Sequence, residues 1–220
     1  MALSKVNFNS LNLTPTASKT VVFNSNNNGI EAGDVGGAMN LISTQTASSS
    51  ANISFTSGID STYKEYIFKF INIHPSARAN FQFNLSADSG SNYNVTKTTT
   101  VFETYHYENN DAARELAYIS AADLAQGTGF QNINAFSQLN TNNDGSLSGT
   151  LHLFDPSNTT FVKHFISTIS SVGLDDTSNE YSDSTYVAGY GNTTSAVDAV
   201  QFKMSSGNID SGTIKLYGVS

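Results

Sequence analysis

Four histidines are the side chains in this sequence best suited to bind a metal ion or transfer protons. They are His74, His106, His152 and His164. Metal sites place histidines at short fixed spacings such as H-x-H or H-E-x-x-H, and the sequence contains neither. The four also fall on separate predicted strands, and the register of one predicted hairpin sends His152 and His164 to opposite faces. We therefore expect packed or rim histidines and no metal site.

Residues 140–145 could hold a cation through oxygen atoms. Their sequence, NTNNDG, has oxygen-bearing side chains at alternate positions and glycine at the sixth, like the start of a calcium loop. An EF-hand loop ends in a bidentate glutamate at its twelfth position, and that position is Leu151 here. A hairpin turn built on Asp144 and Gly145 is therefore the favoured interpretation.

Motifs for catalysis are absent from the sequence. There is no G-x-S-x-G elbow, P-loop or dinucleotide-binding glycine loop, and with no cysteine there is no thiol nucleophile. The carboxylates fall mostly in predicted turns. Asp175 and Asp176, followed by Glu180 and Asp183, are read as a solvated acidic loop. We expect no catalytic residues and no cofactor.

Tyrosines near predicted loops are the strongest candidates for recognition of a ligand. They are Tyr105, Tyr107, Tyr181, Tyr186 and Tyr190. Aromatic rings stack on sugars and neighbouring amides bond hydroxyls, so these loops could face a glycan. Ordinary packing at the rim of the domain is the alternative, and it is favoured by the absence of tryptophan and the general abundance of exposed apolar groups.

Composition limits the partners of the chain. The formal net charge is −8 and no lysine or arginine cluster occurs, which argues against nucleic acid as a partner. No apolar run approaches membrane-spanning length, and the first residues lack the apolar core of a signal peptide. We expect a protein made in the cytoplasm, without membrane insertion, that depends on packing and association for its stability.

Short β-type runs separated by Gly, Asn, Asp and Pro occupy most of the chain. The clearest predicted strands are 52–57, 63–74, 81–85, 94–104, 147–154, 160–169, 184–189, 199–204 and 213–219. This spacing predicts an all-β fold, a jelly-roll-like β-sandwich over residues 38–220. Residues 1–37 are predicted to form an extended N-terminal arm with a strand at 20–23. One or two short helical segments are expected within 108–131, at 111–117 and 123–126.

Strand 63–74 is apolar on both faces. One face carries Tyr66, Phe68 and Phe70, and the other carries Ile67, Ile71 and Ile73. Neither face can be fully exposed to water. The next strand, 81–85, is predicted to be its hairpin partner.

The hairpin 147–169 shows the same property. A four-residue turn at 155–158 would place Leu151 opposite Val162, which gathers Phe154, Phe161 and Phe165 on one face. One apolar face covers the core, and the second could be covered by the N-terminal arm, by the 111–126 connection or by another subunit, which is the favoured cover. The predicted assembly interface is therefore Phe154, Phe161, Phe165, Tyr66, Phe68 and Phe70.

Several stretches resemble small structural proteins of marine tailed bacteriophages. They are residues 53–63, 123–131, 145–165 and 186–192 with the closing 212–218, while residues 5–14 resemble the starts of phage fibre and decoration proteins. The resemblance implies a virion structural protein with a jelly-roll-like domain, and it implies no location on the particle. The favoured interpretation is a capsid decoration protein that binds the shell through its arm and through self-association as a trimer, since such domains often stand at threefold sites. Its expected partners are major capsid or tail proteins. A glycan-recognising receptor-binding module of a tail or fibre is the alternative, and a polysaccharide-degrading enzyme is the third interpretation.

Overall fold

A computed structural model describes residues 19–23, 29–34, 38–110, 113–134, 138–174 and 179–220. The chain divides into two compact units, Met1–Ala38 and Met39–Ser220. In the first unit, strands β1 (Lys19–Phe23) and β2 (Ile30–Asp34) form an antiparallel hairpin. The sequence predicted the first strand but not its partner.

The second unit consists of two antiparallel sheets. Its strands are β3 (Met39–Thr46), β4 (Ile53–Phe55), β5 (Glu65–Pro75), β6 (Phe81–Ser86), β7 (Lys97–Tyr107), β8 (Ala113–Tyr118), β9 (Gln131–Asn132), β10 (Leu147–Phe154), β11 (Lys163–Leu174), β12 (Glu180–Gly191), β13 (Ala199–Met204) and β14 (Ile209–Val219). Eight strands form one sheet in the order β3-β14-β5-β10-β11-β12-β7-β8, and four form the other in the order β4-β13-β6-β9. The predicted all-β sandwich is confirmed.

Phenylalanine rings from both sheets meet in the core. Phe68 and Phe70 of the larger sheet and Phe81 of the smaller one surround Phe202, with ring centroids 5.2–5.7 Å apart. These side chains are fully buried or nearly so. Aromatic pairs at such distances contribute beyond the area they bury. This cluster fixes the inner face of the larger sheet, and hence its outer face too.

A β-bulge in β5 changes which face Ile73 occupies. Asn72 adopts a φ of 48°, and the pairing of β5 with β14 shifts register between Ser211 and Thr213. Gly212, at φ 118°, accommodates the bulge because a Cβ there would lie 2.6 Å from the Asn72 carbonyl oxygen. Since the extra residue reverses the alternation, Ile73 is buried in the core, whereas the sequence placed it on the opposite face from Phe70.

Two local predictions were wrong. Residues 113–117 of the predicted helical segment 111–117 belong to β8, because they pair with the edge of β7; residues 111 and 112 lie outside the described residues. The second predicted helical segment, 123–126, is not helical either, and a 3-10 turn at Ser120–Ala122 precedes it. The predicted hairpin of β5 with β6 does not form, because β5 pairs with β10 and β14 while β6 belongs to the smaller sheet. No helix in the described residues is long and apolar enough to cross a membrane.

The register of β10 with β11 also differs from the prediction. Leu151 lies opposite Ser167 rather than Val162, because the connecting loop runs through residues 155–162. The shift covers an odd number of positions, so every side chain of β11 changes face relative to β10. Phe165 therefore faces the core with Leu153, its direct partner.

Candidate functional site

The six residues predicted as an assembly interface separate into two groups. Tyr66, Phe68, Phe70 and Phe165 are buried in the sandwich core. A side chain without exposed surface cannot contact another subunit, so these four residues must be removed from the predicted interface. The other two remain on the surface.

Those two are Phe154 and Phe161, which lie on the outer side of the larger sheet. Phe154 ends β10 and is half-buried, whereas Phe161 lies in the loop before β11 and is 69% exposed. The altered hairpin register explains the division, since it turned Phe165 inward and left Phe154 facing out.

The five tyrosines predicted to face a glycan from loops lie in strands instead. Tyr105 and Tyr107 belong to β7, and the other three belong to β12. Tyr181 is buried, and its ring lies 5.4 Å from Tyr105 and 5.3 Å from Tyr107 by ring centroids, on the inner side of the sheet. Only Tyr186 and Tyr190 point outward, which excludes a single glycan surface made by all five.

Most outward residues of β7, β11 and β12 form a surface without charged side chains; the exception is Glu180, which begins β12 at the edge of this surface and accepts a hydrogen bond from Asn142. We call the following set the outer patch: Thr98, Thr100, Phe102, Thr104 and His106 of β7; His164, Ile166, Thr168, Ser170 and Val172 of β11; Ser182, Ser184, Tyr186, Ala188 and Tyr190 of β12; and the adjoining Phe154 and Phe161. None of these described residues is Asp, Glu, Lys or Arg, although the whole chain has 10 basic and 18 acidic residues.

Large apolar side chains are exposed within the outer patch. Ile166 is 49% exposed, Tyr186 45% and Phe102 40%. Cross-strand pairing brings them together, because Ile166 lies opposite Ala188 and Tyr186 lies opposite Phe102. Contiguous exposed apolar groups of this kind mark interaction sites on proteins.

Two adjoining grooves lie in the outer patch. The first has a volume of about 460 Å³ and runs over Ala188 between Ile166 and Tyr190. The second, of about 470 Å³, lies beside the 155–162 loop and includes Phe161. Phe154 and His164 line both grooves and form the wall between them.

Charged residues lie at the edge of the outer patch, on β5 and beside β10. The Nδ1 atom of His152 lies 2.6 Å from Oε1 of Glu65, and Nζ of Lys64 donates to Oδ1 of Asp155 at 2.9 Å. His152 and His164 both face outward, whereas the sequence-based register sent them to opposite faces. Their rings contact Phe154 and Tyr190 respectively, at centroid distances of 6.3 and 6.1 Å.

The inner side of the same strands carries buried charged residues. Lys97 donates to the Asn84 side-chain oxygen and to the Val95 carbonyl, and Lys163 donates to the carbonyls of Phe161 and Thr193. Burial lowers the pKa of Lys97 to about 8 and also lowers the pKa of Lys163. These carbonyl acceptors solvate the two ammonium groups in place of water.

Asp183 and Glu103 are buried on the same inner side, at the other end of the strands. Asp183 accepts hydrogen bonds from Ser171 and Thr185 at 3.3 and 3.1 Å through Oδ2, and Oδ1 has no partner in the described part of the chain. Burial raises the pKa of Asp183 to about 7, and the charge of Glu103 adds to the rise. Tyr181, also buried, has its pKa raised by burial first and by Asp183 second.

Sequence reasoning missed these buried charges. Asp183 was assigned to a solvated acidic loop, but it lies in the middle of β12; Asp175 and Asp176 of that loop lie outside the described residues. Alternation supplies a signal that could have found them, since Lys97 and Glu103 share the parity of the buried Val101.

The stretch 140–145 makes a turn that leads into β10, and Leu139 before it pairs with Gly173 of β11 in an isolated bridge. Asn142 donates to Oε1 of Glu180 at 2.7 Å, and the Asn140 side-chain oxygen accepts the Asn142 amide at 2.8 Å. Gly145 is required there, since a Cβ would overlap the Asn140 side chain. No group of three or more His, Cys, Asp or Glu residues that could hold a metal ion occurs within the described ranges.

Comparison with known proteins gives no relative for the chain: no family model, no curated protein and no solved structure matches it.

Proposed function

We propose that this protein is a structural component of an assembled particle and is joined to other protein subunits through the outer patch. The charge-free, aromatic character of that patch carries the proposal. Interface centres are depleted in charged residues and enriched in aromatic ones, whereas ordinary surface of an acidic protein is not. A surface of this composition on a chain of net charge −8 is suited to contact with protein.

The size of the surface supports a stable contact. Strands β11, β12 and β7 are adjacent, and β11 has 12 residues. With strands about 4.8 Å apart and about 3.4 Å per residue, these three strands present a face of roughly 14 by 40 Å, or about 600 Å², to which Phe154 and Phe161 add. Each partner in a specific protein–protein interface buries about 600–1,000 Å².

The proposed particle is a phage virion, as the sequence resemblance implies. In that role the protein decorates the capsid, where added interface strengthens contacts between shell subunits, and residues 1–37 act as a tether. No catalytic step belongs to this proposal. A position on the tail or a fibre is the alternative within the same particle.

Self-association of the purified full-length chain tests the role of the outer patch. Light scattering after size exclusion is expected to give a mass above the 23.5 kDa of one chain. Thr100→Glu adds a carboxylate at an exposed position in the patch, and it should weaken association roughly tenfold or more because like charges face each other. Gln45→Glu adds the same charge to exposed β3, outside the patch, and should leave the mass unchanged. A monomeric wild type at about 100 μM, a concentration above the roughly micromolar Kd of a modest interface, contradicts self-association.

Electron cryomicroscopy of virions that carry the protein tests the particle assignment. Density for the sandwich on the shell supports a decoration role, and density on the tail supports the fibre alternative. Virions in which no component matches the sandwich would contradict both.

Glycan recognition remains a second candidate, because Tyr190 stands at the first groove beside the hydroxyls of Thr98 and Thr100. Rings and hydroxyls together suit a sugar. A glycan array compares the wild type with Tyr190→Ala. Binding that the variant loses supports this function, and an array without signal removes it.

A further inference from the structure

We propose that the partner of the outer patch is a second copy of this chain, related by a twofold axis, and that Phe161 of each copy inserts into the groove over Ala188 of the other. The inference rests on the proposed function and names the partner for that surface. It replaces the trimer expected from the sequence resemblance with a closed pair.

The groove over Ala188 has the form of a receptor for one aromatic side chain. Ile166, Ala188 and Thr100 lie side by side on adjacent strands, and the single methyl of Ala188 leaves a depression between two larger neighbours. Phe154 and Tyr190 bound it on the side nearest the 155–162 loop. Its volume of about 460 Å³ lies within the range of roughly 300–1,000 Å³ typical of sites that take small molecules, so a phenyl ring fits.

Phe161 is held as a fixed projection. Its backbone amide donates to Oδ1 of Asn158 at 2.8 Å, and its carbonyl accepts from the buried Nζ of Lys163 at 2.6 Å. The Asn158 amide in turn donates to the Asp155 carbonyl at 3.0 Å, which closes the loop. Both backbone groups of Phe161 are therefore anchored while its ring is 69% exposed. Such preorganisation lowers the entropy lost on binding.

The arrangement of projection and groove is self-complementary. Phe161 borders one groove, the depression over Ala188 lies in the other, and Phe154 and His164 form the wall between them. A twofold axis through this wall brings each Phe161 over the opposite Ala188. An isologous contact of this kind uses the same face on both copies, so it closes as a pair and leaves no outer patch exposed.

Electrostatics also favour a second copy as the partner. Two copies of a chain with net charge −8 repel each other over most of their surfaces. No residue of the outer patch is a carboxylate, and its only titratable groups besides tyrosine are His106 and His164. The nearest carboxylate is Asp155, which lines the second groove and is paired with Lys64 at 2.9 Å. Two such chains can therefore meet on this face with little apposition of unpaired like charges.

Engineered cysteines test the contact directly, because the natural chain contains none. Phe161→Cys and Ala188→Cys are made as separate full-length variants, one carrying a mass tag, then mixed and oxidised. A mixed disulfide requires the two Cα atoms to approach within roughly 7 Å, which only insertion of one copy into the other provides. Phe161→Cys mixed with Gln45→Cys is the matched control. We expect the first mixture to form the mixed disulfide well above the control.

Affinity supplies an independent measurement. Phe161→Ala removes two buried rings from each pair, so the dimer Kd should rise by roughly two to four powers of ten. Leu116→Ala is the control, because Leu116 is similarly exposed at 63% but lies on β8, outside the outer patch. Thermal melts of both variants verify that the fold is retained.

The outcomes separate this inference from the proposed function. A mixed disulfide together with a Phe161-dependent Kd supports the twofold contact. If the wild type associates and Thr100→Glu disrupts it, but Phe161→Ala associates normally or the mixed disulfide matches the control, the inference is overturned and the function stands. A monomeric wild type overturns self-association and with it the twofold contact.

Discussion

In β7, β11 and β12, the distribution of charged residues between the two sides is the reverse of that in an ordinary sheet with one exposed face. The inner side buries Lys97, Lys163, Glu103 and Asp183, all without exposed surface. The outer side contains one charged residue, Glu180 at the start of β12, and exposes Ile166, Tyr186 and Phe102 among others. Charged residues are rarely fully buried and are normally found on the exposed face.

This inversion supports the contact that we propose for the outer side. Inside the sandwich, each lysine is satisfied by oxygen acceptors of the protein, so its burial does not require a counterion. On the outer side, Ile166, Tyr186 and Phe102 remain partly exposed within the chain. The two buried lysines are thus satisfied within one chain, whereas the exposed apolar groups would be covered by the contact we propose.

The largest expected difference between the two sides is in stability, when a phenylalanine of the core and a phenylalanine of the outer side are each replaced by alanine. Phe202→Ala empties the centre of the aromatic cluster and should lower the free energy of unfolding by about 3–5 kcal/mol. Phe161→Ala should change it by less than about 0.5 kcal/mol in dilute protein, because the ring is mostly exposed. Urea denaturation followed by circular dichroism suits a chain without tryptophan.

Protein concentration is the control in that comparison. Association stabilises the folded state by mass action, so the Phe161→Ala difference should grow as concentration rises while the Phe202→Ala difference stays constant. Equal losses for the two variants in dilute protein would place Phe161 in the core and remove the distinction between the sides.

Alternation in the sequence was sufficient to predict most strands but not their pairing. The bounds of β10 and β13 match the predicted 147–154 and 199–204, because alternating apolar residues end at strong turn signals in both. The register of β10 with β11 depended on the 155–162 loop, in which Asn158 accepts the amides of Thr160 and Phe161 and lengthens the turn. Such a side-chain contact has no signature in periodicity.

Tertiary context overrode local preference in the other misplaced segments. Residues 113–117 have helix formers, yet pairing with the edge of β7 extends them, since helix propensity is a weak prior. The bulge at Asn72 places Ile73 in the core, and β5 has no glycine that would have indicated a bulge in the sequence. For the candidate site, the sequence identified Phe154 and Phe161. Ala188 and Ile166 could not be added to them from the sequence, because their position beside Phe154 depends on the register of β10, β11 and β12.

The second largest expected effect is the pH dependence of stability caused by the buried Asp183 on the inner side. The Asp183 carboxyl has a folded-state pKa of about 7 against an ordinary value of 3.8, so the folded chain holds this proton between those pH values after the unfolded chain has released it. The stabilisation is therefore complete below about pH 4 and is lost as pH rises to about 7, by an amount on the order of 4 kcal/mol.

Asp183→Asn removes this dependence. Measured by urea denaturation from pH 4 to 8, the variant should gain stability relative to the wild type as pH rises, by the same few kcal/mol. Ser182→Ala, at an exposed neighbouring position of β12 without an ionisable side chain, should show a constant difference across the range. A constant difference for Asp183→Asn as well would mean that the buried carboxyl does not retain its proton, and that both sides of the sheet tolerate charge alike.

The smallest effect compares two consecutive residues of β12 that face opposite sides. A Cβ on Gly189 would lie 2.5 Å from the Thr98 carbonyl oxygen and 3.0 Å from Cζ of Phe165, so Gly189→Ala should lower the free energy of unfolding by about 1–3 kcal/mol. Ala188→Ser adds one atom into the outer groove and should cost less than about 0.5 kcal/mol in dilute protein, because the groove has room for it. Urea denaturation of both variants measures the pair. If Gly189→Ala does not lower the free energy of unfolding, the inner side is loosely packed. If Ala188→Ser lowers it by more than this, the chain itself already fills the outer groove and leaves no room for a ring of the partner.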